Sequence, residues 1–157
     1  MNFVDTQYPR IKRPVTDVEK IVPLARISKA YQSSKHLIKK TPITKSQYFS
    51  IKYDCNVYFK REDLHEIRSF KIRGALNKFQ NLTQEGKSKG VVCSSAGNHA
   101  QGVAYCCNKL KVKGTIFMAL NSPEIKVKNV KLFGGEWVTV RQVGNNFDEA
   151  SRAAKEY

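Results

Sequence analysis

Apolar residues recur along this chain at two spacings, and the alternation between them predicts its architecture. Ile72, Ala75, Leu76 and Phe79 fall on one face at helical spacing, which predicts a helix from Phe70 to Leu82. Asn56 to Lys60 is short and rich in β-formers, so it predicts a strand ahead of that helix. Beyond it, Gly90 to Cys93 predicts a strand and His99 to Leu110 a helix. Thr115 to Leu120 predicts a strand, Glu124 to Phe133 a helix, Glu136 to Val140 a strand, and Phe147 to Tyr157 a further helix. Strands alternating with helices of this length imply right-handed βαβ units and a parallel sheet. The fold class is therefore α/β, and such sheets place ligands at the carboxyl ends of their strands.

The N-terminal part reads differently. Leu24, Ile27, Tyr31, Leu37 and Ile38 give Val22 to Lys39 a mixed helical spacing, ended by Thr41-Pro42 because the residue before proline avoids the helical region. Residues 1–20 are polar, carry Pro9 and Pro14, and read as a loose leader. No internal repeat or low-complexity segment stands out.

Composition narrows the classes. The chain has 157 residues, enough for one modest domain with a real core. Its longest apolar run, Gly114 to Leu120, is far too short to span a membrane. The opening Met1-Asn2-Phe3-Val4-Asp5 has no signal-peptide core, so a cytoplasmic location is expected. Cys55, Cys93, Cys106 and Cys107 form no CxxC pair and no zinc-type cluster with the histidines, and read as reduced thiols. His36, His65 and His99 are too dispersed for a metal set and read as surface or capping residues, while Phe133 and Trp137 read as core aromatics. The net charge of +15 admits a nucleic-acid partner. The lysines are scattered, however, and do not interleave with aromatics on one element, so a solvated basic surface is the favoured reading.

Two segments carry candidate chemistry. Ser94 to Gly102 follows a strand and opens a helix. Its small residues allow close approach of a ligand, and amide N–H groups at a helix start attract a carboxylate or phosphate. An ordinary βα turn capped by Asn98 or Ser95 explains the same spacing equally well. It is not GxGxxG, so the dinucleotide fingerprint is absent. The second segment is Lys60-Arg61-Glu62-Asp63-Leu64 followed by Ser69-Phe70-Lys71-Ile72-Arg73-Gly74-Ala75. Lys71 opens a helix after an apolar residue. Buried neighbours and the positive helix end would lower its pKa, as a Schiff-base lysine requires. In a chain this rich in lysine, a solvent-facing lysine is the plainer reading.

Together these segments, with Ser122-Pro123-Glu124-Ile125-Lys126 and Gly144-Asn145-Asn146-Phe147-Asp148-Glu149-Ala150, resemble the threonine dehydratase and serine racemase family in order and spacing. The resemblance runs from about Ile27 to the C-terminus and looks closest to the biosynthetic threonine dehydratases. It implies a tryptophan-synthase-β-like fold of PLP fold type II and the cofactor pyridoxal 5'-phosphate. Lys71 would hold the cofactor and serve as base at the substrate Cα. Phe70 would pack beside the cofactor, and Asn98 would hydrogen-bond its phenolic oxygen. Ser95, Ala96, Gly97, Asn98 and His99 would cradle the substrate carboxylate, and Ser69 matches the acid/base of the racemase branch.

The implied reaction is conversion of L-threonine to 2-oxobutanoate and ammonia in isoleucine biosynthesis. The alternatives are serine dehydratase or racemase chemistry, a non-catalytic or split-chain fragment, or a basic nucleic-acid-binding protein. Family members are longer, and their glycine-rich phosphate loop lies downstream of anything here. The chain is thus expected to be a truncated N-terminal half: residues 1–60 as leader and arm of the large domain, and residues 61–157 as the small α/β domain. Alone it is expected to give no oxoacid product; complete, a homo-oligomer acting on a small amino acid is expected.

Overall fold

A computed structural model of the protein describes residues 22–157. The polar leader expected at residues 1–20 lies outside the described residues. The helices are α1 (Leu24–Ser34), α2 (Gln47–Lys52), α3 (Lys71–Gln80), α4 (Gln84–Lys89), α5 (Asn98–Leu110), α6 (Glu124–Gly134) and α7 (Phe147–Glu156). The strands are β1 (Ile43–Lys45), β2 (Tyr58–Lys60), β3 (Val91–Ser94), β4 (Gly114–Met118) and β5 (Val138–Gln142).

The parallel sheet is three-stranded in the order β3-β4-β5, with Val91 opposite Gly114 and Gly114 opposite Val138. The first strand expected from the sequence is not part of it. β2 pairs antiparallel with β1 in a separate two-stranded sheet, Thr44 facing Phe59. No long crossover intervenes there: α2, capped by the Ser46 side chain, simply turns the chain back.

Alternation along β4 divides its side chains between two faces. Ile116 and Met118 enter the main core with Ile72, Leu76 and Phe79 of α3, Val103, Ala104, Cys106 and Cys107 of α5, and Val127 and Val130 of α6. Phe117 faces the other way, its ring centroid 5.5 Å from that of Tyr157 at the end of α7. The sheet is therefore covered on both faces, as a parallel sheet requires. Ile72, Leu76, Ile116 and Val130 are fully buried, and each isolated truncation to alanine there would cost about 2–5 kcal/mol for Leu or Ile.

Two element boundaries depart from the sequence expectation with a visible cause. α1 stops at Ser34, short of Thr41-Pro42. The Ser33 and Ser34 hydroxyls both donate to the Ala30 carbonyl, at 3.0 and 2.7 Å, a back-bonding that weakens the helical ladder. β5 begins at Val138, because Gly135 (φ +53°) and the 3-10 turn Gly135–Trp137 precede it. His65 is a correction too: it is 1% exposed and so not a surface residue, though its backbone N–H closes the 3-10 turn Glu62–Leu64 on the Glu62 carbonyl. Trp137 is half-buried, with the Lys111 and Lys113 ammonium groups 5.4 and 4.7 Å from its ring. The four cysteines are separate thiols, and burial pushes those of Cys106 and Cys107 up to about 12. Among the described residues no helix is long and apolar enough to cross a membrane, and no group of three His, Cys, Asp or Glu gathers as a metal site.

Candidate active site

The start of α3 is set by a left-handed residue. Arg68 has φ +56°, and its N–H donates to the His65 carbonyl at 2.8 Å, turning the chain into Ser69-Phe70-Lys71. Ser69 is buried, and its Oγ accepts the Lys71 N–H at 3.2 Å. Lys71 itself is exposed, with Nζ 5.1 Å from the centroid of the equally exposed Phe70 ring. The buried surroundings expected for this lysine are absent among the described residues. Lys71 is the first residue of α3, and Ile72 and Ala75 occupy the buried face instead.

The start of α5 comes from the end of β3. The Ser95 N–H donates to the Phe117 carbonyl at 3.1 Å, and Ser95 Oγ accepts the Gly97 N–H at 3.3 Å. The residue that precedes the helix is Gly97, in extended backbone, with no side chain capping the first turn. Neither Asn98 nor Ser95 caps α5, which corrects the plainer sequence reading. The first-turn N–H groups are left without a side-chain acceptor, the condition in which a helix start attracts an anion. At the end of β3, Ser94 Oγ is buried with no hydrogen-bond partner among the described residues; Ser94 lies opposite Phe117 in the sheet.

Gly102 joins the two starts. A Cβ placed there would lie 3.4 Å from both the carbonyl carbon and oxygen of Lys71, so α5 rests directly on the first turn of α3. Desolvation, and secondarily the Lys71 charge, hold the His99 pKa below its ordinary value, which places that imidazole within electrostatic reach of the lysine. Asn98 is exposed beside it, its Oδ1 accepting from Lys126 Nζ at 3.1 Å and from Gln101 Nε2 at 3.4 Å. Ala96 is half-buried against the core. Lys71 at the head of α3 and His99 at the head of α5 thereby lie at one junction, with Ser69 buried beside Lys71.

Sequence reasoning named Glu62 and Arg73 only as motif members. The structure joins them: Arg73 Nε donates to Glu62 Oε2 at 2.6 Å and Nη2 to Oε1 at 2.9 Å. Thr41 Oγ1 donates to Glu62 Oε1 at 2.6 Å, and the Thr41 carbonyl accepts from Lys60 Nζ at 2.6 Å. Glu62 thus ties the segment before β1 to α3, two residues from Lys71. A charged residue in each of two nearby motifs was the available signal. On this side of α3 a concavity of about 390 Å³ is lined by Tyr31, Lys35, Ile38, Lys39, Lys40, Lys60 and Arg73, and includes neither Lys71 nor Asn98.

Residues 35–157 match the family described as pyridoxal-phosphate dependent enzyme. The biosynthetic L-threonine dehydratase of Lactococcus lactis is 46% identical over 137 residues, covering 87% of this chain and 33% of that protein. That of Halalkalibacterium halodurans is 50% identical over 128 residues, covering 82% of this chain and 31% of that protein. The chain thus spans about a third of the length of these curated relatives. Among solved structures, the processed form of threonine deaminase isoform 2 from Solanum lycopersicum superposes with a TM-score of 0.75 at 37% identity, over 84% of this chain and 38% of that one. Serine racemase from Dictyostelium discoideum gives a TM-score of 0.78 at 30% identity, over 86% of this chain and 43% of that one. The α/β architecture is therefore part of the fold of those enzymes, and the chain belongs to the pyridoxal-phosphate dependent enzyme family.

Proposed function

We propose that this chain carries the lysine-bearing part of a pyridoxal 5'-phosphate site for elimination from L-threonine, an ammonia-lyase reaction giving 2-oxobutanoate and ammonia. The observation that carries this reading is the contact of Gly102 with the Lys71 backbone, which sets an exposed amine beside the uncapped start of α5. The residues present suit such a cofactor: a primary amine for its aldehyde and free helix-start donors for anionic oxygens. The similarity to dehydratases named for threonine favours that substrate over serine.

In this reading Lys71 holds the cofactor and takes the proton from the substrate Cα. Phe70 packs at the cofactor's side, and the Asn98 amide donates to its phenolic oxygen. Ser95, Ala96, Gly97, Asn98 and His99 hold the substrate carboxylate. Ser69 is the proton carrier of the opposite face. When bound, the cofactor supplies an electron sink for negative charge at Cα. Residues 61–157 are the small domain, and residues 1–60 the leader and N-terminal arm of a larger one. The cofactor phosphate is held by the part of the relatives that this chain does not match. The same reading places the reaction in isoleucine biosynthesis, in the cytoplasm, by a homo-oligomer.

Borohydride trapping of pyridoxal phosphate followed by peptide mapping tests it. Covalent trapping is the sensitive readout, because it records even weak binding. The label is expected to concentrate on the peptide holding Lys71 and to vanish from it in Lys71→Ala. Labelling spread evenly over surface lysines, unchanged in that variant, would overturn the reading.

A further inference from the structure

Four polar side chains run from α6 across α5 to the site. Asn129 Nδ2 donates to Gln101 Oε1 at 3.5 Å, and Gln101 Nε2 donates to Asn98 Oδ1 at 3.4 Å. Lys126 Nζ donates to the same Asn98 oxygen at 3.1 Å. Amide oxygens and nitrogens are interchangeable in shape, so something must set the direction of this chain. Lys126 does so. An ammonium group donates only, and therefore the Asn98 group that faces it must be the oxygen. Once Oδ1 faces Lys126 and Gln101, Gln101 must turn its nitrogen toward Asn98 and its oxygen toward Asn129. Gln101 is 3% exposed, so an amide turned the wrong way there would bury an unpaired donor against a donor.

One consequence falls on Asn98. Two donors occupy the two lone pairs of its oxygen. Its NH2 group has no protein acceptor among the described residues and is left as a pure donor. We infer that Lys126 is a positioning residue: through Asn98 Oδ1, and with Gln101, it fixes the Asn98 amide so that its NH2 group faces the ligand's anionic oxygen. This rests on the site proposed above, in which Asn98 donates to the cofactor. The role is polarity-setting, so it asks for a donor-only cation at this position and is met by arginine as well as lysine. A general need for positive charge on α6 would be met equally by Lys128, which instead pairs with Glu124 at 2.7 Å.

The test compares Lys126→Met, Lys126→Arg and the control Lys128→Met on the full 157-residue chain. Two readouts are taken: the side-chain amide resonances of Asn98 and Gln101 without cofactor, and borohydride trapping of pyridoxal phosphate at Lys71. In Lys126→Met both pairs of amide resonances are expected to move, and trapping at Lys71 to fall about tenfold, the effect of one misdirected hydrogen bond. Lys126→Arg and Lys128→Met are expected to stay close to the parent in both. Unmoved amide resonances in Lys126→Met would overturn the inference, as would moved resonances with trapping unchanged. If the parent chain shows no selective trapping at Lys71, the proposed site fails, while the amide resonances still decide whether Lys126 sets the direction of the network.

Discussion

Glu62 and Arg73 form a two-pronged ion pair, Nε to Oε2 at 2.6 Å and Nη2 to Oε1 at 2.9 Å, between the 3-10 turn Glu62–Leu64 and α3. The hydrogen bond from Arg73 is the chief cause that holds the Glu62 carboxyl down to about 2, aided by Thr41. Because the folded pKa lies below the ordinary 4.5, the pair's contribution is complete above that pH and is lost as pH falls toward about 2. Glu62→Gln is expected to cost about 1–3 kcal/mol at neutral pH, since glutamine keeps one acceptor oxygen but removes the charge and turns an NH2 group toward a donor of Arg73 or Thr41. Urea melts across that acid range should show the parent losing its advantage over the variant. A constant difference between the two from neutral pH to pH 2 would refute the assignment.

Gly114 and Cys107 meet where β4 passes under α5. A Cβ at Gly114 would come within 2.5 Å of Cys107 Sγ and 3.4 Å of Val91 Cγ2. Gly114→Ala should therefore destabilise by about 1–3 kcal/mol through overpacking. Removing the sulfur should relieve the clash, so Cys107→Ala combined with Gly114→Ala is expected to cost less than the sum of the two single changes. Thermal melts of the four proteins measure the coupling, and strict additivity would show that the contact is not the cause.

At the head of α7, Asn146 Oδ1 accepts the Glu149 N–H at 3.0 Å while Glu149 Oε2 accepts the Asn145 N–H at 2.8 Å. This reciprocal arrangement satisfies donors on both sides of the helix start. Asn146→Ala is expected to cost about 1 kcal/mol and Asn146→Ser much less, because a serine hydroxyl still accepts the bond. Equal loss in both variants by chemical denaturation would argue against a capping role.

The elements from β3 to α7 were legible because each has one clear period: a short apolar run for a strand, a 3.6-residue face for a helix. β1, α2 and α4 were not. Three residues of strand or six of helix are too short to show a period, and only Ser46 and Thr83, which cap α2 and α4, hinted at them. For the site, the order of the motifs pointed to Lys71 and Asn98 before any coordinates did. Their surroundings were not legible. The exposure of Lys71 depends on where α5 crosses α3, and the Asn98–Lys126 bond joins residues 28 positions apart. Such long-range contacts leave no local pattern.

His99 offers a direct test of that geometry. Desolvation is the larger cause of its lowered pKa and the Lys71 charge the smaller. A histidine lowered in this way binds its proton less readily folded than unfolded, so its contribution to stability is present above its ordinary 6.5 and is lost as pH falls below that value. Replacing Lys71 by methionine removes the repulsion and leaves the desolvation. The His99 pKa should then rise toward 6.5 without reaching it, while Lys71→Arg, which keeps the charge, should leave it lowered. Imidazole resonances followed by NMR across the neutral and acid range read this directly. A His99 titration identical in the parent and Lys71→Met would mean that the lysine and the head of α5 do not share one site.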